Sequence, residues 1–569
     1  MRNHSLLATI LIVLVLSSCA TKKVEEQSSK KAKRPNIIFL VAEDFSQRLA
    51  AYGDSLAYTP TIDSISSVGT VYNSVFTTAG VCAPSRAAII TGMYSTAIGT
   101  HHMRQAESVI PMPGKPNYNA VPRPDIKAFP EVLRENGYWT ASYTKTDYQF
   151  GKPFTIWDSV YESSTHAYWR DREDDSQPFF CYYTFEITHE INVWPDWRKE
   201  EFFKEKNLDP SKLAEDAVKR PALDEKYFVD PNDVTLPPYY PDTKTVRQDI
   251  ARHYTNAARM DTQIKTVLAS LKEDGLLDNT IIMFFGDHGD ALPRAKRWIY
   301  DSGIKIPLII SGPGVKNGVD EQLISGVDLA PTVLSLAGVE IPDNIHGKAF
   351  LGAQKADSVR KYVFAGRDRM DNKYDMIRAV RDDRYKFIKN YDHEKPYTQP
   401  IEFMYQMPMM REILALEEAG KLNKTQSYWL FDTKPEVEFY DLENDPHELN
   451  NLAAEAQYSD KIAEMEKELK AWQGEFGDLG FEDEFKMAER MWPGMVQPET
   501  AKPEITQTDD HKVAISNSTE GASIGYQISG QKGWKLYTEP IALQAGQTLS
   551  AKAIRYGFKE SAVTQFSLN

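Results

Sequence analysis

Three short stretches of the chain carry side chains of complementary chemistry. Glu43-Asp44 and Asp287-His288-Gly289-Asp290 each follow an uninterrupted apolar run, and together they offer several carboxylate oxygens and one imidazole. That donor set suits a hard divalent cation such as Ca²⁺ or Mg²⁺. The third stretch is Val81-Cys82-Ala83-Pro84-Ser85-Arg86-Ala87-Ala88-Ile89-Ile90-Thr91-Gly92. Pro84 suits the first turn of a helix, residues 87–90 propagate it and Gly92 can end it. Cys82 then lies at a helix start, where backbone N–H groups favour an anion. Arg86 adds a charge suited to bidentate binding of a tetrahedral oxyanion. Taken singly, a Cys before a helix reads as packing and acidic loop residues as solvated surface.

The flanking pattern supplies the elements that must position these groups. Asn36-Ile37-Ile38-Phe39-Leu40-Val41-Ala42, Thr280-Ile281-Ile282-Met283-Phe284-Phe285-Gly286 and Ile306-Pro307-Leu308-Ile309-Ile310 are apolar without alternation. Strands covered on both faces read this way. Residues 244–272 repeat apolar side chains at helical spacing, closed by Gly275. Strands alternating with helices predict an α/β fold with a mainly parallel sheet, whose strand ends gather ligands at their carboxyl side. Residues 35–370 are expected to form this catalytic domain. Short strands at 376–380 and 385–388 and a helix through 463–472 predict a smaller antiparallel subdomain over 371–500. The Thr-, Ser- and Gly-rich segment 501–569 reads as an appended β-sandwich.

The 569-residue chain is 41% hydrophobic, enough for a large core, and its formal net charge of −15 argues against a nucleic-acid partner. Arg2 and His4 precede an apolar run at 6–16 that is too short for a comfortable membrane span and has the shape of an export signal. Leu16-Ser17-Ser18-Cys19-Ala20 resembles a bacterial lipobox. It implies a signal peptide at 1–18, acylation of Cys19, a solvated tether at 19–34 and residence at the outer membrane, on its periplasmic face or the cell surface. The alternative is an ordinary signal peptide with an incidental Cys. Cys181 lies in an apolar strand pattern, and no disulfide with Cys82 is expected.

Cys82-Ala83-Pro84-Ser85-Arg86 with Thr91-Gly92 resembles the type I sulfatase signature, whose first residue a maturase converts to formylglycine. The resemblance extends over residues 35–472, through Glu43-Asp44, Asp287-His288-Gly289, Val327-Asp328-Leu329-Ala330-Pro331-Thr332 and Tyr440-Asp441-Leu442-Glu443-Asn444-Asp445-Pro446-His447-Glu448. It implies an alkaline phosphatase-like fold and metal ligands Glu43, Asp44, Asp287 and His288, with residue 82 completing the set. Lys145 and Lys296 match the family's sulfate-binding lysines, and His189 matches its proton donor to the leaving group. Asp147 stands where the family's Gly-Lys-x-His motif has its His, which leaves the proton relay without that group. His101 and His102 follow the signature helix and face either substrate or the packed interior.

The implied mechanism is attack of the hydrated aldehyde on sulfur, with charge held by the metal, Arg86, Lys145 and Lys296; the second hydroxyl then expels sulfate. Val234-Thr235-Leu236-Pro237-Pro238 and Arg381-Asp382-Asp383-Arg384 resemble the heparan N-sulfatase branch, whose bacterial relatives include ulvan sulfatases. The implied substrate is a sulfated glycan, attacked from its end. Residues 534–561 resemble the small C-terminal β-module of chitobiases and hexosaminidases. A phosphodiesterase or phosphonate hydrolase of the same superfamily, and a non-catalytic glycan-binding lipoprotein, are the alternatives.

Overall fold

The computed structural model describes residues 34–106, 112–212, 220–508 and 512–568. The expected signal peptide, the acylated Cys19 and nearly all of the tether lie outside the described residues.

Asn36–Ala42, Phe179–Phe185 and Thr280–Gly286 are buried along their whole length, which is why their apolar residues do not alternate with polar ones. They are the middle of an eight-stranded sheet in the order Ser159–Tyr161, Trp139–Tyr143, Phe179–Phe185, Asn36–Ala42, Thr280–Gly286, Leu308–Ser311, Thr70–Tyr72, Gly318–Asp320. The first five of these run parallel. Successive side chains of Asn36–Ala42 point to opposite faces. Ile37, Phe39 and Val41 join a core with Ile89, Phe129 and Leu329, while Ile38, Leu40 and Ala42 join one with Ala257, Ile264 and Leu271. Phe39 meets Phe180 and Phe285 edge-on at ring separations of 5.0 and 4.9 Å; truncating it to Ala would cost about 3–5 kcal/mol.

Leu308–Ser311 departs from the parallel pattern, running antiparallel to both neighbours. A parallel partner needs a crossover, usually helical, but the connection after Gly286 contains only the short helix Asp301–Ile304. That stretch folds back over the strand ends and carries site residues.

The long helix Lys244–Glu273 starts where Thr243 Oγ1 accepts from the Val246 N–H at 3.2 Å. The predicted antiparallel sheet comprises Val363–Arg367, Ile377–Arg381, Tyr385–Asn390 and Val437–Asp441. Ser459–Phe476 covers it with Met465, Leu469 and Trp472. Beyond residue 503, one three-stranded and one four-stranded antiparallel sheet enclose Val513, Ile515, Leu549 and Ala551, a small sandwich. From Pro35 on, the chain is one compact unit. The sandwich is tied in through Glu131, a buried carboxylate of helix Phe129–Glu135 that accepts from Ser523 Oγ and, at 2.8 Å, from the Tyr556 hydroxyl. Cys82 and Cys181 are both buried free thiols. No helix among the described residues is long and apolar enough to cross a membrane.

Candidate active site

Four neighbouring parallel strands end at one place. Trp139–Tyr143 leads to Lys145, Phe179–Phe185 to Glu186 and His189, Asn36–Ala42 to Glu43-Asp44, and Thr280–Gly286 to Asp287-His288. Cys82 is brought to them as the first residue of helix Cys82–Thr91, which Gly92 ends in a left-handed conformation. Gly286 is required where two strand ends close up, because a Cβ there would collide with the Phe45 carbonyl.

Cys82 Sγ lies 3.7 Å from Glu43 Oε2, 3.6 Å from Asp44 Oδ1, 3.4 Å from His288 Nε2 and 3.7 Å from Lys296 Nζ. Asp44, Cys82, Asp287 and His288 offer ligand atoms within 4.8 Å of one another, as do Glu43, Asp44, Cys82 and His189. The expected ligands therefore converge from strands far apart in sequence. The electrostatics show what the cluster accepts. Burial opposes charge on His288, yet Asp287 and Asp44 push its imidazole up to about 10. A proton is thus held on a nitrogen 2.8 Å from Asp44 Oδ1. Burial and Glu43 push Asp287 up to about 6. A set that recruits a proton to a buried histidine is short of positive charge, and its oxygens and imidazole fit a divalent cation.

Each ligand is positioned by a second group. Asp287 Oδ1 accepts from the Asp44 and His288 N–H groups, both at 2.9 Å, and Asp44 Oδ2 accepts from the Glu190 N–H at 2.7 Å. Lys145 Nζ is 2.6 Å from Glu43, and Lys296 Nζ is 2.5 Å from Asp44 and 3.3 Å from His189 Nε2. Although burial resists their ionisation, Arg86 and Lys145 hold Glu43, and Lys296 holds Asp44, well below the usual carboxylate range. Burial and then Lys296 and Lys145 hold His189 well below the usual imidazole value. Its resting ring is neutral, and donating a proton requires a bound anion to offset the two lysines.

Several expected residues land differently. Arg86, 1% exposed, does not turn its guanidinium to an open pocket: it pairs with Glu43 and, at 3.2 Å, with Asp287. Two buried carboxylates capture it before any substrate can, so its geometry is that of a residue orienting ligands. Asp290 leaves the cluster for Arg48 at 2.7 Å and Ser46. His101 and His102 sit in another neighbourhood, where burial and then Arg378 push His101 down to about 4, and the Arg369 N–H donates to His102 Nδ1 at 3.3 Å. Of the two readings left open for them, their burial favours the packed interior. Asp147, half-buried with φ 53°, lies beside Lys145, whose charge it supports.

Other contributors carry no motif. Glu190 grips Arg297 through two bonds of 3.0 and 2.8 Å and stands 3.7 Å from Lys296. Glu186 is 3.5 Å from Lys145. Asp44, Arg104, Asp147, Gln149, Arg294, Arg297 and Asp371 all have φ between 49° and 75°. Left-handed backbone costs a side-chain-bearing residue roughly 1–2 kcal/mol and gathers where function over-determines geometry.

The sheet with its acidic strand ends, and the buried thiol with Lys296 beside it, form a site suited to a metal and a tetrahedral oxyanion. Comparison with known proteins narrows that chemistry. The sulfatase family model matches residues 35–339, and the model for the C-terminal part of N-sulphoglucosamine sulphohydrolase matches 287–406. An ulvan-active sulfatase of Formosa agariphila is 40% identical, over 99% of this chain and 98% of its own. Human N-sulphoglucosamine sulphohydrolase is 26% identical over 83% and 94%. A solved structure holding D-glucosamine-2-N,6-O-disulfate shares the fold at TM-score 0.57 and 19% identity, covering 79% of this chain and 100% of its own. The chain belongs to the sulfatase family, the sulfuric ester hydrolases.

Proposed function

We propose that the protein is a carbohydrate sulfatase that removes sulfate, as O-ester or N-sulfate, from the ends of a sulfated polysaccharide or its oligosaccharides, such as ulvan or heparan. The observation that carries this reading is the convergence of Glu43, Asp44, Asp287, His288, Lys145 and Lys296 on Cys82 at a helix start. Its likeness to an ulvan-active sulfatase along nearly the whole chain supports the glycan setting. Cys82 is converted to formylglycine by a maturase, and that residue supplies the nucleophile as an aldehyde hydrate. Glu43, Asp44, Asp287 and His288 would hold Ca²⁺, which would supply Lewis-acid polarisation of the sulfate when bound.

The chain's own residues do the rest. Arg86 braces Glu43 and Asp287 through its two ion pairs. Lys145 and Lys296 present their ammonium groups to the sulfuryl oxygens, where charge builds up in the transition state. His189, once the bound anion offsets the lysines, passes a proton to the departing sugar oxygen or nitrogen. Cys19 is acylated, and residues 19–34 tether the enzyme to the outer membrane.

Desulfation of ulvan and heparan oligosaccharides, with mass spectrometry of the peptide containing residue 82, tests the proposal. Sulfate release from chain ends by protein carrying the aldehyde is expected. A dominant phosphodiesterase rate, or an unmodified thiol in the native host, would overturn it. Cys19→Ala should shift the protein from the membrane to the soluble fraction.

A further inference from the structure

The rim of the site carries an ion pair that the chemistry at sulfur leaves unused. Arg104 Nε donates to Asp371 Oδ1 at 3.1 Å. Their side chains are 33% and 14% exposed, whereas those of Glu43, Asp44 and Arg86 are fully enclosed. The loop that carries Arg104 is joined at His102 by the Gln149 side chain, four residues beyond Lys145, whose ammonium lies 2.6 Å from Glu43, so the pair stands at the edge of the site.

The pair is built to stay where it is. Arg104, Asp147, Gln149 and Asp371 have φ of 57°, 53°, 67° and 53°. The Met103 N–H donates to the Arg369 carbonyl at 2.9 Å, and the Gln149 side chain donates to the His102 carbonyl at 2.9 Å. Arg369 donates to the Met103 carbonyl at 2.7 Å and to the Asp371 carbonyl, and is itself held by Glu484 at 2.6 Å. Three loops are thereby stitched together, fixing two accessible side chains before any ligand arrives.

Charge decides what they can receive. Arg104 contributes one positive charge against two negative ones from Asp371 and Asp147. The neighbouring cations are engaged elsewhere, Arg297 with Glu190, and Lys145 with Glu43 and the sulfate held at residue 82. A second sulfate or a carboxylate would meet net repulsion here. A pair of sugar hydroxyls would not, because one can donate to Asp371 while the oxygen of its neighbour accepts from Arg104.

We propose that Arg104 and Asp371 form a hydroxyl-recognition subsite, gripping two adjacent free hydroxyls of the sugar whose sulfate lies at residue 82 and rejecting sugars with a second sulfate there. This rests on the sulfatase reading. A site that hydrogen-bonds a hydroxyl discriminates against analogues lacking it, and for a partly exposed pair a preference of about 10–100-fold follows.

The test uses the mature, metal-loaded enzyme and three substrates: a monosulfated sugar with both neighbouring hydroxyls free, its deoxy analogue and its vicinal disulfate. Asp371→Asn and Arg104→Gln should each raise KM for the first at least ~10-fold with a smaller change in kcat, and should erase the preference over the deoxy analogue. Asp371→Asn should raise kcat/KM for the disulfate relative to the monosulfate by ~10-fold or more. Asp371→Glu, which keeps the charge, should retain rejection of the disulfate. A common loss on all three substrates, or an unchanged preference, would overturn the subsite. Absence of sulfate release by the unmutated enzyme from every substrate would instead overturn the sulfatase reading, and the subsite with it.

Discussion

Lys296 places its ammonium 2.5 Å from Asp44 Oδ2 and 3.7 Å from Cys82 Sγ. One buried cation thus serves a candidate metal ligand and the reacting position together, and removing it strips both.

Lys296→Met should lower kcat/KM by about 10³-fold, since a fixed cation at developing charge is lost from a dry site. It should also cost about 3 kcal/mol of stability by leaving Asp44 short of a partner. Steady-state kinetics and denaturant unfolding measure both; near-normal turnover would remove Lys296 from the sulfate-binding role.

Arg86→Lys keeps the charge and loses the fork that holds Glu43 and Asp287 at once. The expected cost is about 3 kcal/mol or more, with weaker calcium binding because the ligands lose their brace. Calorimetric titration with Ca²⁺ checks this. Unaltered affinity would show that the ligands orient themselves.

Chelation should abolish turnover, and Ca²⁺ should restore it. Because the cation binds only the folded chain, the melting temperature should climb with its concentration, by the equivalent of about 2.7 kcal/mol at a hundredfold excess over Kd. Asp287→Asn should flatten that climb. A melting temperature indifferent to Ca²⁺ in the parent protein would count against the metal centre.

His101 gives a pH prediction away from the metal. Burial, followed by Arg378, lowers its folded value to about 4, below the ordinary ~6.5 of an unfolded chain. Between those two values only the unfolded state takes up the proton, so stability falls as pH drops through that window. His101→Gln should make the loss between pH 7 and 4.5 shallower by roughly 2 kcal/mol. Urea midpoints at the two pH values test it, and parallel losses in both proteins would refute it.

Sequence reached the site because its ligands sit directly after apolar strands, where a local pattern reports position. Glu43-Asp44 and Asp287-His288 follow Ala42 and Gly286, and Cys82 opens a helix whose end Gly92 announces. What it could not show depends on who meets whom. Arg86 reads as an oxyanion binder until the two carboxylates that take it are seen. Arg297, Arg104 and Asp371 belong to loops and Glu190 to the one-turn helix Glu190–Val193, too short to show periodicity, and their importance is created by pairing in space. The antiparallel turn of Leu308–Ser311 was equally hidden, because a strand covered on both faces reads the same in either direction.

The tie through Glu131 bears on how this chain could have been assembled. Ser523 and Tyr556 are the sandwich's donors to a carboxylate buried in the catalytic domain, and an acid deprived of such donors in the interior is expensive. Exchanging residues 501–569 would leave Glu131 with Thr155 Oγ1 at 2.6 Å and Lys127 at 3.5 Å but without those two hydroxyls. A replacement module that covered this carboxylate would have to bring its own hydrogen-bond donors to the same spot.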